Sequence, residues 1–245
     1  MTTQDAAPPR HDDLVEPRWG LGDAIVGWLV AYGVAIVWGG LLLAATGHTS
    51  SEDVPLALVA IGNVPLWAGF IGTAVWAAST KGNGWIRDFR VRFAVWDLPL
   101  GIAAGLVAQF VLVPLVSSPV LWATGKDGGD LSAPAREMAD KATGAGGVIL
   151  LVVIVGIMAP FAEELFFRGL VLRSMERKWA PWIALVVSSV IFGATHFEPL
   201  QFAGLTAAGL VFGLLAQRTG RLGASMVAHL AFNLSSIALL LWGSP

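Results

Sequence analysis

Six residues in the second half of the chain have types and spacings that suit acid–base chemistry. They are Glu163, Glu164 and Arg168 in one stretch, His196 in a second, and His229 with Asn233 in a third. The stretch Pro160-Phe161-Ala162-Glu163-Glu164-Leu165-Phe166-Phe167-Arg168-Gly169 closes an apolar run that begins near Gly147. As a helix that run is about 33 Å long through Arg168, which puts both carboxylates inside or near the hydrocarbon layer of a membrane. Charge at that depth is expensive, and such residues face a protein interior or a water-filled cavity. Glu164 and Arg168 stack at i, i+4, so the guanidinium can neutralise Glu164 and fix it in place. Glu163 points about 100° away and has no local partner. One carboxylate reads as structural, the other as reactive. The competing reading is a helix end whose charges snorkel into the headgroups, which does not call for a Glu-Glu pair followed by two Phe.

The two histidines extend the set. His196 closes Phe192-Gly193-Ala194-Thr195-His196, and His229 opens His229-Leu230-Ala231-Phe232-Asn233; His11 and His48 lie in a tail and a loop. His229 and Asn233 share a helix face at i, i+4 and can address one substrate atom together, and Phe192 and His196 share a face in the same way. Any one of these polar groups could be hydrogen-bond glue between helices. Taken together they suit peptide-bond hydrolysis. A carboxylate within a water's reach acts as general base, and a His shares that water or protonates the leaving amine. A second His and an Asn amide donate to the oxyanion of a tetrahedral intermediate. Ser188, Ser189 and Ser225 lack a strained elbow or triad context, so serine chemistry is less persuasive. Glu163 or Glu164 with His196 and His229 also makes a His₂Glu set for zinc, although no HExxH occurs because Phe197-Glu198-Pro199 follows His196. Composition does not separate metal-activated water from carboxylate-activated water.

These residues need a membrane scaffold to hold them, and the composition supplies one. Of 245 residues 56% are hydrophobic and only 13% charged, where globular domains are near a quarter charged, so the chain reads as an integral membrane protein. The net charge of −2 offers no basic field for nucleic acid, and with no cysteine there are no disulfides or thiolate sites. Residues 1–20 are polar and read as a disordered cytoplasmic tail, without the pattern of a cleaved signal peptide. Residues 21–245 read as one membrane-embedded domain. Apolar runs at roughly 21–46, 54–79, 97–122, 147–171, 180–197, 199–217 and 222–242 predict seven spans, with an eighth short interfacial or re-entrant helix within 131–146. The expected fold is an all-α polytopic bundle of seven to eight helices around an intramembrane polar cavity. Gly101, Ala104 and Gly105, and Gly204, Ala208, Gly209 and Gly213, suit close helix packing in lipid. Trp19, Trp85, Trp96, Trp122, Trp179, Trp182 and Trp242 fall near span ends, as an interfacial belt requires. The segment 85–93 mixes aromatic with basic residues and could lie along the membrane surface, or be a plain solvated loop.

Lys and Arg set the orientation. One set of loops holds Arg10 and Arg18; Lys81, Arg87, Arg90 and Arg92; Arg168, Arg173, Arg177 and Lys178; and Arg218 and Arg221. The other holds Lys126, Arg136 and Lys141. The positive-inside rule puts the first set, and the N-terminus, in the cytoplasm. Counting then places Glu163 and His229 about 12–14 Å from that face and His196 about 24 Å along its helix. Tilt, a cytoplasmic water cavity or a re-entrant turn at Glu198-Pro199 would bring them together.

The three motifs resemble those of the CAAX-protease and bacteriocin-processing (CPBP, or Abi) family of intramembrane proteases, which includes the eukaryotic CAAX prenyl endopeptidases. The family signatures EExxxR, FxxxH and Hxxx(N/D) read here as Glu163 to Arg168, Phe192 to His196 and His229 to Asn233, in family order, within 147–240. The resemblance implies that Glu163 and His196 activate water, that His229 and Asn233 stabilise the oxyanion, and that Glu164, Arg168 and Phe192 support the site. It also implies a cavity opening to the cytoplasm. No cofactor is expected, with a divalent metal such as zinc on Glu163, His196 and His229 as the alternative. The expected substrate is a membrane-tethered peptide or protein; a prenylated CaaX substrate is implied only by the eukaryotic branch. Short loops and the lack of further domains suggest a bacterial inner membrane. Two other readings use the same residues: a non-catalytic immunity or scaffold protein with a polar packing core, and a small proton-coupled transporter. Oligomeric state is not readable from the sequence.

Overall fold

The computed structural model describes residues 14–49 and 53–243, and among them every regular element is helical. In order these are α1 (Leu21–Thr46), α2 (Leu56–Lys81), α3 (Trp85–Asp88), α4 (Asp97–Thr124), α5 (Gly128–Asp140), α6 (Gly144–Glu176), α7 (Pro181–Ala194), α8 (Phe202–Thr219) and α9 (Gly223–Trp242). Six of them, α1, α2, α4, α6, α8 and α9, are long and apolar enough to cross a membrane. Large apolar side chains such as Ile36, Val37 and Leu41 face outward, while Ala31, Ala74, Ala77 and Ala78 are buried. That pattern belongs to helices solvated by lipid and packed through small residues. The all-α polytopic bundle stands.

The seven expected spans become six. The run 180–197 yields α7, whose 14 residues reach only about 21 Å against the roughly 30 Å of a hydrocarbon core. The chain turns at 195–201, with Phe197 at φ 57°, and re-enters as α8. The extra short helix is α5, capped by Asp127, whose side chain accepts from the Gly129 and Asp130 amides.

The small residues pack as expected. A Cβ on Gly105 would lie 2.3 Å from the Ala228 carbonyl oxygen, so α4 and α9 meet backbone to backbone. α7 and α8 meet in the same way where Gly209 faces Ser189 and Phe192.

One face of the bundle gathers most of the basic residues. The Arg18 amide bonds the Lys81 carbonyl at 2.7 Å, tying the start of α1 to the end of α2. Gln217 of α8 donates to Glu176 of α6 and to the carbonyl of Pro181 of α7. Arg221 grips Asp97 at the start of α4 with two bonds of 2.9 and 2.7 Å, and these bonds hold the Arg221 guanidinium above its ordinary pKa. At the opposite end lie α5 and the turn before α8, joined by Gln201 Nε2 donating to the Leu131 carbonyl at 2.9 Å.

Two expectations on the basic face need correction. Residues 1–13 lie outside the described residues, but 14–20, expected in the disordered tail, are docked. Val15 exchanges bonds with Asn83, and Arg177 donates to the Pro17 carbonyl at 2.7 Å. Trp19 is 3% exposed rather than interfacial: its indole donates to Asp88 and its ring lies under Arg177 and against Phe89. The 85–93 segment is likewise no plain solvated loop, since Phe89 is fully buried against Gly169.

Helix α6 does not keep α-helical spacing. Val152–Met158 and Glu164–Leu172 are π-helical, with an α-helical turn Ala159–Glu163 between them. Pro160 sits in that turn and has no N–H to donate, which favours a break in the ordinary ladder. The widened turns surround the Glu-Glu pair.

Candidate active site

Glu163 and Glu164, neighbours on one helix, point into different surroundings. Glu164 is fully buried. Its Oε1 lies 2.9 Å from Arg168 Nη1, an ion pair without hydrogen-bond alignment, and 2.9 Å from His229 Nδ1. Its Oε2 accepts from Ser225 Oγ at 2.7 Å. Arg168 has further contacts: Nη2 donates to the Gly209 carbonyl at 3.1 Å, and the guanidinium lies 4.2 Å from the centre of the Phe192 ring. A buried charge is tolerated when it is paired and its neighbours supply further bonds. Glu164 and Arg168 are thus tied to each other and to the packing around them.

Glu163, with its side chain 18% exposed, looks into a cavity of about 430 Å³. Its Oε2 stands 4.0 Å from His196 Nε2 and 3.8 Å from His229 Nε2. Each imidazole is held by its other nitrogen. His196 Nδ1 contacts the Phe192 carbonyl at 2.8 Å, and His229 Nδ1 contacts Glu164. A carbonyl and an ionised carboxylate can only accept, so both Nδ1 atoms carry hydrogen and both Nε2 atoms turn towards Glu163. Stacking completes the alignment: Phe212 lies parallel to His229 at 4.6 Å, and Phe192 meets His196 edge-on at 4.9 Å. Separations near 4 Å are too long for direct bonds and suit a single water shared among the three groups.

Asn233 lines the same cavity, one turn beyond His229. Its Nδ2 donates to the Val155 carbonyl at 2.7 Å. In π-helical spacing that carbonyl would meet the N–H five residues on, and residue 160 is a proline without one. The amide keeps a second N–H for a ligand.

All the expected site residues therefore meet at one place, although they come from α6, α9 and the turn after α7. The turn resolves the expected mismatch in depth: because α7 stops short, His196 lies at the level of Glu163. Three contributors were not anticipated. Ser225, dismissed as a nucleophile, braces Glu164. Tyr32 of α1 donates to the Thr195 carbonyl at 2.6 Å and so holds the turn that carries His196. Phe212 stacks on His229. The signal for Tyr32 was available, since it is the only tyrosine in the chain and lies within an apolar span. Among the described residues no group of three His, Cys, Asp or Glu side chains is arranged to hold a metal ion; Glu163, His196 and His229 come nearest.

Fold and site together define an integral, multi-pass membrane protein with a Glu–His centre at the wall of an internal cavity. Residues 145–235 match the family described as Type II CAAX prenyl endopeptidase Rce1-like. All three motifs fall inside the match, so the resemblance read from the sequence is borne out. Two curated relatives are similar over part of their length. A protein of Bacillus subtilis (strain 168) named "Putative membrane peptidase YdiL" is 34% identical over 86 residues, 35% of this chain and 35% of that protein. An "Uncharacterized 24.3 kDa protein" of Escherichia coli is 31% identical over 88 residues, 34% of this chain and 41% of that one. The matches thus span only about a third to two-fifths of these relatives. No solved structure matches the chain significantly.

Proposed function

We propose that the protein is an intramembrane endopeptidase that hydrolyses a peptide bond of a membrane-tethered peptide or protein. The observation that carries this reading is the convergence of two oriented imidazole Nε2 atoms on one carboxylate oxygen, in a cavity that also presents an amide. Glu163 takes a proton from water as the water oxygen bonds to the scissile carbonyl carbon, and His196 orients that water. The carbonyl oxygen becomes an oxyanion that accepts from the free N–H of Asn233 and from His229 Nε2. His229 donates there when both ring nitrogens carry hydrogen, with Nδ1–H on Glu164. The C–N bond then breaks as the proton held by Glu163 passes to the leaving amine. Glu164, Arg168 and Ser225 hold His229 in place, and Phe192 and Tyr32 hold the segment carrying His196.

No step in this scheme is routed through a metal. Were a divalent ion bound, Glu163, His196 and His229 would hold it and it would activate the same water. A prenylated CaaX end is one membrane-tethered substrate among several. The basic face is assigned to the cytoplasm of a bacterial cell by the positive-inside rule.

The test compares new protein N-termini in membranes from cells carrying wild type, Glu163→Ala, or no copy. Termini present only with wild type, and sensitive or not to chelator, would establish proteolysis and the metal requirement together. Identical termini with wild type and a folded Glu163→Ala protein would overturn the reading in favour of the scaffold.

A further inference from the structure

The geometry points to a cavity entered from the face opposite the basic one, and therefore from the non-cytoplasmic side. The substrate class follows: an extracytoplasmic juxtamembrane segment or an exported peptide, rather than a cytoplasmic tail. The topology of the cavity stands without the protease reading; the substrate class rests on it.

The argument comes from where each helix lines the cavity. On α6 the lining residues run from Leu151 to Glu163 and stop there. From Glu164 to Leu172, towards the basic face, every residue is buried. On α9 the lining begins at His229 and continues outward to Leu240, while Gly223 to Met226, and Ala228, are buried on the basic side. α8 contributes Gln201 to Phe212, again the half away from the basic face. Phe89, Phe166, Phe167, Leu170 and Leu222, each 2% exposed or less, close the floor beneath Glu164. At the other end the cavity reaches α5, where Leu131, Ser132, Ala135 and Met138 line it. Among the described residues, this amphipathic helix and the turn it bonds through Gln201 line that end of the cavity.

The two faces differ sharply in charge. Among the described residues the basic face carries Arg18, Lys81, Arg87, Arg90, Arg92, Arg177 and Lys178 together with Arg218 and Arg221, whereas the α5 face carries Lys126, Arg136 and Lys141. On short loops this bias sets orientation. Floor and charge together place the entrance outside. The cavity expected to open to the cytoplasm is closed on that side by the packed floor. Beyond Glu163, His196 and His229 the lining is mostly apolar, with Gln109, Ser132, Glu198, Gln201, Asn233 and Ser236 as polar points, which suits a few residues of unfolded, largely apolar chain.

The chain has no cysteine, so single cysteines can be placed without background. Ser236→Cys and Gln109→Cys report the cavity, and Lys178→Cys reports the basic face. Each is treated with a small anionic, membrane-impermeant methanethiosulfonate in intact spheroplasts and in inside-out vesicles. The expected result is that both cavity cysteines react in spheroplasts and lose reactivity in inverted vesicles, while Lys178→Cys does the reverse. Cavity cysteines that react only in inverted vesicles would overturn the proposal, as would Lys178→Cys reacting in spheroplasts. Failure of both cavity cysteines to react from either side would also overturn it. Labelling needs no catalysis, so this outcome is separate from the fate of the protease reading, which the N-terminus comparison decides.

Discussion

Glu163 and Glu164 mark the boundary between two regions through which α6 and α9 both run. Below the boundary, towards the basic face, Glu164 is held by Arg168, Ser225 and His229, and no space remains around it. Above it, Glu163 faces open space, and the nearest nitrogens stand 3.8 and 4.0 Å away. The same side-chain type is a strut in one region and, in the other, faces a cavity as the proposed acid–base group. What separates them is about one-quarter turn of helix and the fit of the surrounding side chains. The floor is closely packed, and the cavity above it leaves one carboxylate without a direct hydrogen bond to the nearest imidazoles.

Substitutions at the boundary should break this comparison in different ways. Glu163→Ala should lower the rate of peptide hydrolysis by about 10²–10⁴-fold, the usual cost of losing a general base, with thermal stability unchanged or raised. A melting curve beside a cleavage assay checks it, and a large loss of stability would mean that Glu163 is also a strut. Glu164→Gln should do the opposite in the first instance. It leaves Arg168 buried without its counter-charge, at a cost of about 3–5 kcal/mol, visible in denaturation in detergent. Glu164→Gln with Arg168→Met should recover much of that loss, and no recovery would show that the pair is not the unit that matters. Asn233→Ala should cut kcat by about 10²–10³-fold with KM little changed, as for an oxyanion donor. Equal changes in kcat and KM would instead assign the residue to packing through Val155. The smallest effect is expected at Tyr32→Phe, which removes one hydrogen bond to the Thr195 carbonyl and should cost about 1 kcal/mol. Cleavage should fall modestly through displacement of His196.

Much of this arrangement was legible in one dimension. Long apolar runs can only be helices in a membrane, because backbone groups there must be satisfied within the segment, so α1, α2, α4, α6, α8 and α9 follow from hydropathy. The i, i+4 pairs Glu164–Arg168 and His229–Asn233 follow from helix periodicity alone. Intramembrane Glu and His stand out because their burial is costly and must be repaid by function or by a partner. What hydropathy does not register is a helix that stops short, so α7 read as a span. A tryptophan near a span end reads as interfacial whether or not a loop folds over it, as 85–89 does over Trp19.

The sequence by itself determined the fold class, the membrane setting and the candidate site residues, because each depends on local composition or on spacing along one helix. Tertiary structure alone decided that His196 rises to the level of Glu163, that both imidazoles present Nε2 to it, and that Asn233 occupies the carbonyl next in line to Pro160. It alone decided which end of the bundle is sealed. Those facts depend on contacts between segments far apart in the chain, where the depth and direction of a side chain are set by packing against its neighbours rather than by its own helix.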